Sequence, residues 1–335
     1  MLHAGPAIET HGLSKSYGSH EALRGIDLRV ERGTVFGLIG PNGSGKSTTL
    51  KLLLDILRPS GGTVRVLGED PRRAGAQLRR NLGYLPGELR LDGRLTGKRL
   101  LQHFARLSGP VDRGFMHALA ERFGVDLGRP IHSLSKGNKQ KVGLVQAFMH
   151  QPDLLILDEP TSGLDPLVQR EFHTLLHEVC ARGQTVLLSS HVLSEVQQVA
   201  QQVAVLGDGQ IVGSGDVDSL RLRAIRRVSA GIETPDPIRM REQLGTIPEL
   251  AGLDVHDDPV GVRITGTSRG EIRAFVRALS GLPIADLSLE EPDLEESVLH
   301  LYRERVRDQA GKKEQERVLP QGLVRKQDRN GGNDA

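Results

Sequence analysis

Tryptophan is absent from this 335-residue chain, and three tyrosines and seven phenylalanines bring the aromatic share to only 3%. Platforms that hold single-stranded nucleic acid stack its bases on such rings, so the composition argues against that class of partner. The formal net charge of +2 marks no polyanion as the main partner either, and no nucleic acid is expected. A single cysteine, Cys180, excludes an internal disulfide; in its helical pattern it reads as a small core residue, compatible with a reducing cytoplasm. No apolar run approaches the roughly 18 residues that span a bilayer. The stretch Leu52–Leu57 is interrupted by Asp55, and Met1–Pro6 lacks the basic start and apolar core of a secretion signal. The expectation is a chain soluble by itself, with any spanning helices supplied by another polypeptide.

What the chain does have is a glycine-rich loop in a telling place. Gly40-Pro41-Asn42-Gly43-Ser44-Gly45-Lys46-Ser47-Thr48 follows the apolar run Val35–Ile39 and precedes the helix-like stretch Leu50–Leu57. Glycines let successive backbone N–H groups curl around phosphate oxygens, and the start of the following helix adds partial positive charge. In this spacing Lys46 can reach the β- and γ-phosphates while the Ser47 hydroxyl can ligate Mg²⁺. The loop predicts binding of a nucleoside triphosphate.

Length alone suggests two domains. Residues 7–218 alternate short apolar strands with amphipathic helical patterns, the signature of an α/β fold. Buried strands are expected at Val35–Ile39, Leu82–Leu85, Leu154–Leu157, Thr185–Ser189 and Gln202–Leu206. Residues of about 88–150 are helical in periodicity and read as a helical subdomain inserted into that core. Past a basic segment at 220–227, residues 226–306 follow the order βαββαβ, which predicts a small α+β ferredoxin-like domain. An amphipathic helix at about 293–307 is expected to pack on it, and 308–335, charged and poor in apolar residues, reads as a disordered tail.

The second constellation is Leu154-Leu-Ile-Leu-Asp158-Glu159, an apolar strand ending in two carboxylates. Laid beside the phosphate-loop strand, it would put Asp158 where it can hold Mg²⁺ and leave Glu159 to orient or deprotonate an attacking water.

Between the phosphate loop and these acids, Leu134-Ser135-Lys136-Gly137-Asn138-Lys139-Gln140 resembles the signature motif of ABC-type ATPases, commonly LSGGQ. Ser162–Asp165 resembles the family's D-loop and His191 its switch histidine. Tyr17 falls where the family stacks a ring on adenine. The resemblance covers roughly residues 7–216 and implies a phosphate-loop NTPase core that binds ATP with Mg²⁺. It implies Glu159, His191 and Lys46 as catalytic residues, Ser47 and Asp158 as metal-holding ones. It also implies a head-to-tail dimer, in which Ser135, Gly137 and Asn138 of one copy contact the γ-phosphate held by the other. In this reading Asp165 braces the dimer interface. Ser135 is equally a helix N-cap, a role compatible with the first.

Two departures from the family pattern stand out. Gly87, in Gly83-Tyr-Leu-Pro-Gly-Glu88, replaces the usual Gln of the loop that links nucleotide to helical subdomain, and Glu88 is the neighbour that could take over. The signature carries Lys136 for Gly and Asn138 for Gln. GYLPGE together with LSKGN resembles the branch serving multidrug, antibiotic or polysaccharide exporters. The implied function is an exporter ATPase at the cytoplasmic face of a bacterial membrane, acting through separate permease subunits. Ten lysines among 44 basic residues point to a GC-rich genome. The alternative is a soluble ABC-type factor on ribosomes or DNA, disfavoured by a single phosphate loop and no long coiled coil. A third reading, with the C-terminal module as a ligand-binding regulator, competes with a plain dimerisation or stabilising role for that module.

Overall fold

A computed structural model describes residues 5–217, 226–245, 253–259, 261–268 and 272–290. Along the first part run β1 (Ile8–Tyr17), β2 (His20–Val30), β3 (Val35–Ile39), α1 (Lys46–Leu53), β4 (Gly61–Val66), α2 (Pro71–Arg80) and β5 (Leu82–Leu85). Then come α3 (Gly97–Ser108), α4 (Arg113–Arg122), α5 (Lys136–Phe148), β6 (Leu154–Asp158) and α6 (Pro166–Ala181). This part closes with β7 (Thr185–Ser190), α7 (Leu193–Val199), β8 (Gln202–Gly207) and β9 (Gln210–Asp216).

All five strands expected from apolar runs lie in one sheet, ordered β5-β6-β7-β3-β8-β9. The first five pair in parallel and β9 closes the edge antiparallel. Parallel strands covered on both faces read as continuous apolar runs, and Leu154-Leu-Ile-Leu157 does so. Its alternate side chains go to opposite cores. Leu155 and Leu157 join Phe148 and Phe172 of α5 and α6, whose rings meet edge to face with centroids 6.3 Å apart. Leu154 and Ile156 join Leu50 and Leu53 of α1 on the other side.

The strand order corrects one expectation. β6 does not lie beside the phosphate-loop strand; β7 stands between them. The register nonetheless aligns their ends, pairing Asp158 with Ser189 and Ser189 with Leu38. Ligands of such sheets bind beyond the carboxyl ends of the strands, where these residues sit.

A second sheet, β2-β1-β4, is wholly antiparallel and had no counterpart in the sequence reading. Its inner side chains, Ile8, Leu13, Leu23 and Ile26, pack into the same core as α1. α1 is also shorter than the apolar run to Leu57 implied. Asp55 turns to φ 55°, and the amides of Ile56 and Leu57 both bond back to Lys51 O, so the helix cannot continue.

The helical subdomain hangs on α5. Thr96 and Asp112 cap α3 and α4 by accepting backbone N–H bonds. Arg122 of α4 reaches α6, donating to Glu178 at 2.8 and 3.0 Å and to Glu171 at 3.0 Å.

Beyond residue 225, strands Arg226–Glu233, Asp254–Asp258, Gly261–Ser268 and Ile284–Glu290 form a four-stranded antiparallel sheet. Helices Pro237–Gly245 and Ile272–Leu279 complete the order βαββαβ. The first strand lies between the third and fourth and the second takes the edge, the ferredoxin-like arrangement. Val228, Ala230, Ile232, Val262 and Ile264 form its core with Leu244, Phe275 and Leu279. The helix expected at 293–307 and the tail at 308–335 lie outside the described residues.

Candidate nucleotide site

The loop between β3 and α1 is shaped by its glycines where the chain must be left-handed. Gly45 has φ 110° and precedes α1 with no side-chain cap, and a Cβ there would strike Ala22 O at 2.8 Å and Leu23 Cδ2 at 2.6 Å. Only glycine lets α1 begin against β2 in this way, and its uncapped first turn leaves N–H groups for an anion. Pro41, Asn42, Gly43 and Ser47 are exposed, whereas Gly40, Ser44 and Lys46 are buried and Thr48 is half-buried. Lys46 Nζ donates to Gly40 O at 2.7 Å and Pro41 O at 3.2 Å.

Asp158, only 3% exposed, ends β6, and its Oδ1 accepts from Ser189 Oγ at 2.6 Å. Glu159 follows at φ 50°, with its N–H held by Ser189 O and Ser189 Oγ at 3.2 and 3.1 Å. This turn swings the Glu159 carboxylate across the strand ends. Its Oε1 lies 3.6 Å from Lys46 Nζ and its Oε2 lies 2.7 Å from His191 Nδ1. One carboxylate therefore bridges the loop lysine and the histidine after β7. Tyr84 of β5 feels one of these acids: burial first, then the Asp158 charge, pushes its phenol up to about 12.

Ser135, Gly137 and Asn138 form a separate helix start. Ser135 caps α5, its Oγ accepting from Asn138 N at 3.2 Å. Gly137 is packed so closely on the D-loop that a Cβ would meet Gly163 O at 2.4 Å. Asp165 caps α6 by accepting from Val168 N at 3.0 Å and pairs with Lys141 of α5 at 3.5 Å. Those contacts, the Val168 N–H first, hold its carboxyl below the ordinary aspartate value.

The ABC transporter family matches residues 23–162 of the chain. Over 89% of this chain and 96% of the other protein, it is 35% identical to the daunorubicin resistance ATP-binding protein DrrA3 of Streptomyces coeruleorubidus. The chain belongs to the ABC transporter ATP-binding proteins. As an ABC ATPase it binds and hydrolyses ATP. It is also 33% identical to the bacitracin transport ATP-binding protein BcrA of Enterococcus faecalis, across 86% of this chain and 94% of that one. A solved ATP-binding subunit of an ABC transporter superposes with a TM-score of 0.61 at 31% identity, covering 64% of this chain and 92% of the other.

In this ABC protein the expected site residues fall into two groups. Lys46, Asp158, Glu159 and His191 converge at the ends of β3, β6 and β7. Ser135, Gly137 and Asn138 stand on α5 and share no hydrogen bond with that group. Tyr17 ends β1 opposite His20 at the start of β2; it is 46% exposed, and Lys15 Nζ lies 5.0 Å from its ring centroid. Glu88 does not enter the site. Its side chain is 87% exposed and pairs with Arg90, while the backbone of Gly87 lies against Asp158. Ser189 and Gln140 were missed by the sequence reading. Nothing in Thr185–Ser190 distinguishes one serine from the other, and Gln140 closes the signature stretch without announcing a partner.

Proposed function

We propose that this chain is one half of an ATP-driven exporter motor, with two copies closing head to tail around two ATP molecules. The observation that carries the reading is the Glu159 carboxylate poised between Lys46 and His191. A carboxylate in that position can take the proton of an attacking water, and its contact with His191 Nδ1 fixes its orientation. Lys46, buried in the loop, offers positive charge where charge develops on the transferred phosphoryl group. His191, 52% exposed, is free to contact the γ-phosphate as well.

The hard oxygen donors present suit Mg²⁺: the buried Asp158 carboxylate and the exposed Ser47 hydroxyl would hold it. When bound, Mg²⁺ neutralises phosphate charge. Gly40 to Thr48 would cradle the phosphates, and Tyr17 would stack on the adenine. Ser135, Gly137 and Asn138 would complete the partner copy's site, in keeping with their distance in bonding from their own chain's Lys46 group. An ATP-binding domain at 7–218 and a C-terminal domain at 226–306 are part of the same proposal.

Among the described residues no helix is long and apolar enough to cross a membrane. The motor would therefore act on separate permease subunits from the cytoplasmic face, through the helical subdomain. The names of the relatives support drugs or antibiotics as cargo. Glu159→Gln tests the reading. It should still bind ATP, lose turnover by about a hundredfold or more, and accumulate as ATP-dependent dimers on size-exclusion chromatography. Near-normal turnover would refute the base assignment.

A further inference from the structure

Gln140 lies in the second turn of α5 and is only 5% exposed, an uncommon place for a glutamine. Its Nε2 donates to Glu159 O at 3.4 Å and Pro160 O at 3.1 Å. An amide nitrogen has two hydrogens, and both are spent on consecutive carbonyls of the turn that carries Glu159. From the opposite side Ser189 holds the Glu159 N–H. A non-glycine residue at φ 50° is strained and persists only where its surroundings hold it. Gln140 and Ser189 are that hold, one from α5 and one from β7.

α5 is also the helix that starts at Ser135 and rests, through Gly137, on Gly163. Ser162, next to Gly163, donates its N–H to Glu159 O at 3.2 Å, the carbonyl that Gln140 also reaches. Through the packing of Gly137 on Gly163 and the bonds of Gln140 and Ser162, α5 and the peptide of Glu159 therefore form one packed unit. We infer that Gln140 is a positioning residue that sets the Glu159 carboxylate according to what the N-terminus of α5 binds. The inference rests on the head-to-tail reading above. In that arrangement the two ends of this unit face different nucleotides. An ATP phosphate drawn to Ser135 and Gly137 shifts α5, and Gln140 hands the shift to Glu159 at the chain's own ATP. The two composite sites are thereby coupled through a side chain that touches neither nucleotide.

Gln140→Met and Gln140→Glu in the full chain test this. Methionine fills the volume but leaves both carbonyls without their donor. In Gln140→Met, kcat should fall about tenfold and the Hill coefficient for ATP should drop toward 1, with ATP binding within about twofold of wild type. Glutamate at this position repels the two carbonyls when ionised and donates to one when protonated. Relative to wild type, the kcat of Gln140→Glu should therefore climb as pH is lowered from about 8 to about 6. Unchanged kcat and Hill coefficient in Gln140→Met would overturn the inference. Should that variant fail to fold, a Gln140→Glu pH profile parallel to wild type would overturn it. ATP-driven dimerisation of Glu159→Gln, measured alongside, separates the two levels. Its absence sinks the head-to-tail reading and the coupling with it, while its presence with an unaltered Gln140→Met sinks the coupling alone.

Discussion

Gly87 lies flat against Asp158: a Cβ on this glycine would sit 3.2 Å from Oδ2 and 3.3 Å from Cγ of the carboxylate. One oxygen of Asp158 is bound by Ser189, and the other faces this glycine. A side chain here fits only if the acid at the end of β6 yields by a few tenths of an ångström, so the family's usual Gln is expected to crowd it.

Gly87→Gln is expected to lower kcat by about threefold to tenfold and to raise the Mg²⁺ concentration needed for half-maximal turnover. Steady-state ATPase assays over a Mg²⁺ titration check this; a faster enzyme would mean the site had room to spare.

Glu88→Ala should leave turnover and Mg²⁺ dependence within about twofold of wild type, since a solvated ion pair with Arg90 contributes little. A loss of tenfold or more in the same assay would return Glu88 to the mechanism.

His150 gives the fold a pH dependence. Its Nε2 donates to Leu82 O at 3.1 Å, its Nδ1 is buried without a protein partner, and burial holds its pKa below the ordinary histidine value. Below about pH 6.5 the unfolded chain takes up a proton that the folded chain resists, so stability falls as pH drops through that value toward the depressed one. Above it the contribution is complete. His173 is lowered in the same sense, again by burial first. Urea unfolding of His150→Gln between about pH 7 and pH 5 should show a shallower decline than wild type. Equal slopes would assign the dependence elsewhere.

Arg122 fastens the helical subdomain to α6, and Arg122→Ala leaves Glu171 and Glu178 without their shared cation. A loss of about 1–2 kcal/mol is expected, moderated because both acids keep contact with water. Chemical denaturation measures it, and an unchanged midpoint would show the bonds to be surface decoration.

Much of the site was legible in the chain because its chemistry sits in contiguous residues. A loop that curls around phosphate needs its glycines and lysine in fixed order, and Asp158 and Glu159 are neighbours at the end of a fully apolar strand. Strands buried on both faces also declare themselves. β1 and β2 did not, since register shifts between Thr10 and Leu13 and between Lys15 and Ser16 break the alternation that marks a half-buried strand.

Sequence alone therefore determined the phosphate loop, the paired acids, the signature and the βαββαβ order of the C-terminal module. Tertiary structure decided that β7 separates the two site strands, that Ser189 holds Asp158, and that Gln140 reaches the Glu159 turn. It also decided that Glu88 turns to solvent while Gly87 faces the acid. Local order is written in neighbouring residues, whereas these contacts join positions far apart in the chain, and only strand pairing in the sheet and the packing of α5 on it bring them together.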